Sequence, residues 1–186
     1  YRVAGSVGEF WTAITLLHEL DGGVTDTETF DALGVRFGKA LQMTNILRDI
    51  PADIALGRCY IPSQRLAEFG MTHEDLRNPE SISAFRPLYN FYLDLACDHY
   101  EAAIRYIRMI PRKHRNLRMA CILPVAIGLD TISLLRTGNV LDAGERIKVS
   151  RGRIKRIAAL SATGTRLKVL EDRLLNKALA KARKPL

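Results

Sequence analysis

The stretch Gln42-Met43-Thr44-Asn45-Ile46-Leu47-Arg48-Asp49-Ile50-Pro51-Ala52-Asp53-Ile54 leaves the chain few ways to fold. Each residue of an α-helix advances by roughly 100°. With Gln42 at zero, Asn45, Asp49 and Asp53 stand at about −60°, −20° and +20°. Four polar side chains therefore share one narrow face. Met43, Ile46, Leu47, Ile50 and Ile54 fall on the adjoining face, as an amphipathic helix requires. Pro51 interrupts the pattern between the two carboxylates. It has no N–H to donate and crowds the Leu47 carbonyl, so a kink or an early helix end is expected there, re-aiming Asp53.

Two carboxylates and a carboxamide one turn apart form an all-oxygen cluster. Such a cluster suits a hard cation, magnesium above all, which takes one or two carboxylates and keeps positions for phosphate and water. On its own the same spacing also describes an ordinary solvated helix face. Gly57-Arg58-Cys59-Tyr60-Ile61-Pro62 adds a turn, a cation and a phenol just beyond it. Arg58 can neutralise diphosphate oxygens that a metal only partly balances. Arg48 can do the same or pair with the carboxylates.

At 186 residues the chain is long enough for one domain with its own core. Hydrophobic residues make up 47% of it, and they recur at helical rather than alternating spacing, which predicts an all-α fold. Cys59, Cys97 and Cys121 lie far apart without metal-binding spacing, which fits a reducing, cytoplasmic location. No apolar run reaches ~18 residues, so no membrane-spanning helix is expected, and no signal peptide is read. The formal charge of +8 is uneven. From Ala143 onward 13 Lys and Arg face 3 Asp and Glu, whereas the preceding residues carry 15 against 17. The basic character belongs to the C-terminal segment, whose partners would be anionic lipid, nucleic acid or solvent.

Residues 1–20 read as a helix in which Ala4, Gly5 and Gly8 make a smooth side for a neighbouring helix or a long apolar ligand. Trp11, Ile14, Leu17 and His18 are expected in the core. Asp21-Gly22-Gly23 ends this helix, and Thr25 or Asp26 caps a second that runs from about Thr27 into the Asp49 region. Ser63 to Gly70 reads as a short helix with a Ser cap and a Gly stop. A long helix spans about Ser83 to Met109, with Pro87 near its first turn. Leu88, Phe91, Tyr92, Leu95, His99, Ala102, Ala103 and Tyr106 form its mostly buried stripe. Another helix runs from Arg115 to Leu135, kinked at Pro124. A linker and a basic helix lead to an amphipathic tail marked by Leu167, Leu170, Leu174 and Ala178, which packs on the domain, lies on a membrane or stays solvated. The four histidines are scattered, so neither a triad nor a zinc site is supported. Tail charge alone speaks for nucleic acid, and no nucleic-acid partner is expected.

Asn45 to Asp53, followed by Gly57 to Pro62, resembles the second aspartate-rich motif of the squalene/phytoene synthase family. Tyr1-Arg2-Val3-Ala4-Gly5-Ser6-Val7-Gly8 is similar to the small-residue motif, ending in Val-Ala-Gly, that precedes it in that family. The likeness is sharp over residues 1–62, and Asn116 to Pro124 resembles a late helix of squalene synthases. It implies an isoprenoid synthase-type helical bundle around a central apolar cavity. A catalytic helical domain would occupy residues 1–142 and a basic helical segment residues 143–186. The implied activity is magnesium-dependent head-to-head joining of two farnesyl diphosphates to presqualene diphosphate and squalene. Phytoene or dehydrosqualene synthesis is the close alternative. NADPH is the hydride donor of the squalene branch.

By the resemblance, Asp49 and Asp53 hold magnesium, with Asn45 as a further ligand. Arg58 and Tyr60 act beside them in catalysis, and Gln42 and Arg48 stand near the diphosphate. Val3, Ala4, Val7 and Gly8 form the surface along which one prenyl chain lies. A hydrocarbon product fits peripheral membrane association. The family's first aspartate-rich motif, upstream of Val-Ala-Gly, is not in this sequence, which lacks an initiator Met and opens inside a motif. It therefore reads as a fragment without the N-terminal helices, expected to bind magnesium diphosphate weakly and not to turn over. Tyr1 stands nearer a second aromatic position than the cation-steering one, and Pro51 and Ala52 replace a frequent glycine and acid. A non-catalytic relative serving as an assembly scaffold is the rival reading. Asn45, Asp49, Asp53, Arg58 and Tyr60 together argue against it.

Overall fold

Asp26 accepts the Thr29 backbone N–H at 3.0 Å and so opens a 22-residue helix, as a short carboxylate at an N-cap does. The computed structural model describes residues 1–20, 22–144 and 146–184. Among these the regular elements are helical. They are α1 (Gly5–His18), α2 (Thr27–Arg48), α3 (Ile50–Ala55), α4 (Ser63–Ala67), α5 (Ile82–Met109), α6 (Arg115–Thr137), α7 (Arg151–Gly164) and α8 (Lys168–Arg183). Short 3-10 turns at Glu74–Arg77 and Pro79–Ser81 lead into α5. Gly22, at φ 71°, turns the chain after α1, while Asp21 lies outside the described residues. Ser63 is the first residue of α4 rather than its cap, because Pro62 with its extended ψ of 133° already sets the entry.

The other long helices are arranged around α5, which packs on α2, α6 and α8. Its Tyr89, Tyr100 and Tyr106 are fully buried, and each hydroxyl has a partner on α1 or α2. Tyr89 donates to the Leu47 carbonyl at 2.9 Å, Tyr100 bonds Thr44 Oγ1 at 2.7 Å, and Tyr106 bonds Thr12 Oγ1 at 3.2 Å. Phe30 stacks on Tyr106 with centroids 4.1 Å apart. Burial pushes all three phenols well above their ordinary titration range, so they remain neutral hydrogen-bonding groups. Phe91 and Leu95, expected in the buried stripe, are 50% and 37% exposed. Neighbours on two sides of α5 rotate and widen its buried face, which takes in Tyr89, Leu93, Ala96, Cys97 and Tyr100 instead.

The contact between α1 and α2 runs through glycine. A Cβ at Gly8 would lie 2.0 Å from the Gly34 carbonyl oxygen, and one at Gly38 would lie 2.1 Å from that of Ala4. The buried side of α1 is accordingly small and polar: Gly5, Gly8, Thr12 and Thr15. Trp11, Ile14 and Leu17, expected in the core, are instead 45%, 40% and 75% exposed, and His18 is exposed with them. Backbone-to-backbone approach selects the small side of α1 and leaves most of its apolar stripe exposed, with Trp11 alone reaching toward Cys121 of α6.

Pro51 ends α2 as expected. The helix stops at Arg48, Asp49 takes φ −100° and ψ 18°, and α3 starts at Ile50. The Leu47 carbonyl that Pro51 cannot serve is the one bonded by Tyr89. The basic tail packs on the domain. Arg118 of α6 pairs with Glu171 of α8, both almost fully buried, and also bonds the carbonyls of Ile107 and Ile110 at the end of α5. Arg136 pairs with Asp94 at 2.5 Å and bonds the Ala182 carbonyl. Contrary to the expectation that no apolar run is long enough, α6 could span a bilayer by length and mean hydropathy (1.6 over its best window), yet 61% of that window is buried in the fold.

These contacts generate two expected outcomes. Gly38→Ala lowers stability by roughly 1–3 kcal/mol, since neither backbone can yield. Gly152→Ala, where an added carbon meets nothing within 4 Å, raises it by about 0.5–1 kcal/mol. Urea unfolding of the two variants checks the pair. Tyr89→Phe strands the Leu47 carbonyl and costs roughly 1–3 kcal/mol, but less in a Pro51→Ala background that restores a backbone donor. Equal costs in both arms of this double-mutant cycle would refute the link.

Candidate functional site

Across the helix break the backbone keeps Asn45, Asp49 and Asp53 in one-turn steps. The Asp49 N–H donates to the Asn45 carbonyl at 2.9 Å, and the Asp53 N–H donates to the Asp49 carbonyl at 2.9 Å. One-turn spacing therefore continues from α2 into α3. The latter ends at Gly57, whose φ of 72° suits glycine. Gly57 donates to the Ile54 carbonyl at 2.9 Å and Arg58 to the Asp53 carbonyl at 2.8 Å, the paired bonds of a Schellman cap. The Arg58 backbone is thereby folded back onto Asp53, and the side chains of Arg58 and Tyr60 are exposed beyond it.

Asp49 is mostly shielded, its side chain 23% exposed. Arg48 grips it with a fork, Nε at 2.9 Å from Oδ1 and Nη2 at 2.5 Å from Oδ2. Arg146, from the segment before α7, places Nη2 3.3 Å from Oδ1. The Arg48 hydrogen bonds, opposed by burial and aided by the charges of Arg48 and Arg146, hold the Asp49 carboxyl below the usual carboxylate range. It is ionised at neutral pH. Asp53, half-buried, pairs with no cation among the described residues.

Among the described residues no three His, Cys, Asp or Glu side chains converge on a metal-sized point. The chain offers a hard cation two carboxylates, Asp49 and Asp53, and the exposed carboxamide of Asn45. That donor set fits magnesium, which tolerates few protein ligands when phosphate and water complete its shell. Gln42, half-buried, lies one turn past Gly38 on the same face of α2. Ala4 sits over Gly38, so the start of α1 reaches the turn that carries Gln42. Val3 and Val7 are 74% and 60% exposed on the open side of α1, together with Phe10. Gly8 faces the other way, against α2, and is taken up by that helix contact.

Sequence reasoning missed Arg146. It stands 97 positions from Asp49, and only the general charge excess of its segment pointed toward it. The apolar surface beside the cluster is an open face. The three hollows described, of about 810, 580 and 420 Å³, are lined elsewhere, around α6, α7 and α8.

The sequence model of the squalene/phytoene synthase family matches residues 1–153. The chain is 36% identical over 121 residues to 15-cis-phytoene synthase of Synechococcus elongatus, covering 62% of this chain and 39% of that protein. It is 37% identical over 112 residues to presqualene diphosphate synthase of Rhodopseudomonas palustris, covering 60% of this chain and 37% of that protein. The corresponding enzyme of Sinorhizobium fredii is 45% identical over 87 residues, 47% of this chain and 27% of that one. This chain thus spans less than two fifths of each relative. A solved structure of TcSQS with a ligand aligns at TM-score 0.75 and 20% identity, over 97% of this chain and 58% of that one, which establishes the same all-helical fold. With the family's sequence model matching most of its length, the chain belongs to the squalene/phytoene synthase family.

Proposed function

We propose that this protein joins two prenyl diphosphates head to head into a cyclopropylcarbinyl diphosphate. One observation supports the reading: an ionised Asp49, clamped by two arginines, stands one backbone turn from Asn45 and from Asp53. In the proposed step the C–O bond of one substrate breaks and pyrophosphate leaves with the electron pair. The double bond of the second substrate attacks the resulting allylic cation. Ring closure expels a proton, and the second diphosphate is retained. Asp49 and Asp53, with Asn45, would hold magnesium, which when bound supplies the charge that makes diphosphate a competent leaving group.

The arginines give the site a way to respond. Asp49 is already ionised, so no proton need leave before its oxygens turn to a cation. Doing so frees Arg48 and Arg146, whose guanidinium groups match phosphate oxygens as well as carboxylates. Arg58 adds a third cation beyond Asp53. Val3, Ala4 and Val7 begin the apolar face proposed to carry a prenyl chain. The named relatives are phytoene and presqualene diphosphate synthases, and both outcomes share this first condensation. Farnesyl diphosphate as substrate, squalene as end product and the NADPH of its reductive step rest on the sequence resemblance and lie outside the step proposed.

Because the chain spans under two fifths of its relatives, the 186 residues alone are expected to bind farnesyl or geranylgeranyl diphosphate weakly with magnesium and not to turn over. Placed in the matching region of the Synechococcus elongatus enzyme, the chain is expected to support product formation from labelled prenyl diphosphate. Asp49→Asn or Asp53→Asn then lowers kcat by roughly 10²-fold or more, and Arg146→Gln by about tenfold. A folded chimera that makes no product, or one indifferent to Asp49→Asn, sinks the reading.

A further inference from the structure

The α7–α8 hairpin, which lies almost wholly beyond the family match ending at residue 153, presents a groove of mixed character. Ile157 and Leu160 from α7, with Leu170, Leu174 and Ala178 from α8, line a hollow of about 580 Å³ over α6. Around it stand Arg153, Arg156, Arg173, Lys177 and Lys181, against one carboxylate, Asp130. That carboxylate is already committed to Arg153 and Lys181. Arg156, Arg173 and Lys177 pair with no carboxylate among the described residues. At the closed end of the hairpin Leu160, Leu167, Val169 and Leu170 are 47%, 56%, 76% and 39% exposed. Arg166 and Lys168 alternate with them in sequence.

Exposed aliphatic side chains and unpaired cations on the same two helices call for a partner with both an apolar and an anionic part. Free phosphate leaves the leucines wet. A second copy brings the same positive charge and is repelled. Single-stranded nucleic acid wants aromatic platforms, and residues 143–186 contain no Phe, Tyr or Trp. A bilayer rich in anionic phospholipid supplies both parts. We propose that this hairpin docks on such a surface. Headgroup phosphates meet Arg156, Arg173 and Lys177, and acyl segments meet Leu160, Leu167 and Leu170. The buried Arg118–Glu171 pair and the core residues Leu175 and Ala182 fasten α8 to the body, so docking orients the whole domain.

The test is co-sedimentation of the chain with vesicles of phosphatidylcholine alone or with about one third phosphatidylglycerol, without substrate or metal. It therefore succeeds or fails independently of the diphosphate chemistry. Binding is expected to the anionic vesicles only, to weaken at least tenfold in an Arg156→Glu/Arg173→Glu/Lys177→Glu variant, and to persist in Asp49→Asn. A Leu167→Asp/Val169→Asp variant, altered at the more exposed positions and checked for its melting midpoint, is expected to lose at least tenfold as well. No binding to anionic vesicles overturns the proposal. So does binding indifferent to the Leu167 and Val169 changes, or retention on poly(U) that matches the vesicles and is likewise indifferent to them.

Discussion

Three phenol hydroxyls on one helix hold this structure in register. Tyr89, Tyr100 and Tyr106 of α5 are buried, and each must find a partner or leave a polar atom stranded in apolar surroundings. The partners lie on α1 and α2. A slip of α5 along α2 by one residue would break these bonds together. Hydrophobic burial alone tolerates such slips, because one aliphatic contact resembles the next. Here the polar bonds supply the specificity and the apolar contacts supply most of the driving force. The bond to Leu47 also makes the break at Pro51 affordable, and that break sets where Asp49 ends one helix and Asp53 enters the next.

Charge is distributed with similar economy. Asp49 meets Arg48 and Arg146, Glu171 meets Arg118, and Asp130 meets Arg153 and Lys181. The last two tie the basic tail to α6, so the chain's positive excess is partly a set of internal fastenings. Among the cations without an ion pair, Arg156, Arg173 and Lys177 share one side of the α7–α8 hairpin.

Much of this was legible in the residues. Helical spacing gave the element order, Thr25 or Asp26 a cap, Pro51 its break and Gly57 its turn, since each acts on its own neighbourhood. The one-turn relation of Asn45, Asp49 and Asp53 was readable for the same reason. The burial of α1 was not. Its large apolar side chains are the ones a pattern assigns to a core, but burial needs a neighbour, and the neighbour it has accepts only glycine-sized contact. Tyr89, Tyr100 and Arg146 escaped as well, because their partners lie tens of residues away and no local spacing encodes them.

The clamp on Asp49 separates two events that many metal-binding proteins couple. Where ligands repel one another until an ion arrives, folding waits on the ion. In this chain the carboxylate is neutralised from within by guanidinium groups. The charge of Asp49 is thus balanced inside the fold before any ion arrives, and the divalent cation proposed for this site would serve chemistry rather than architecture.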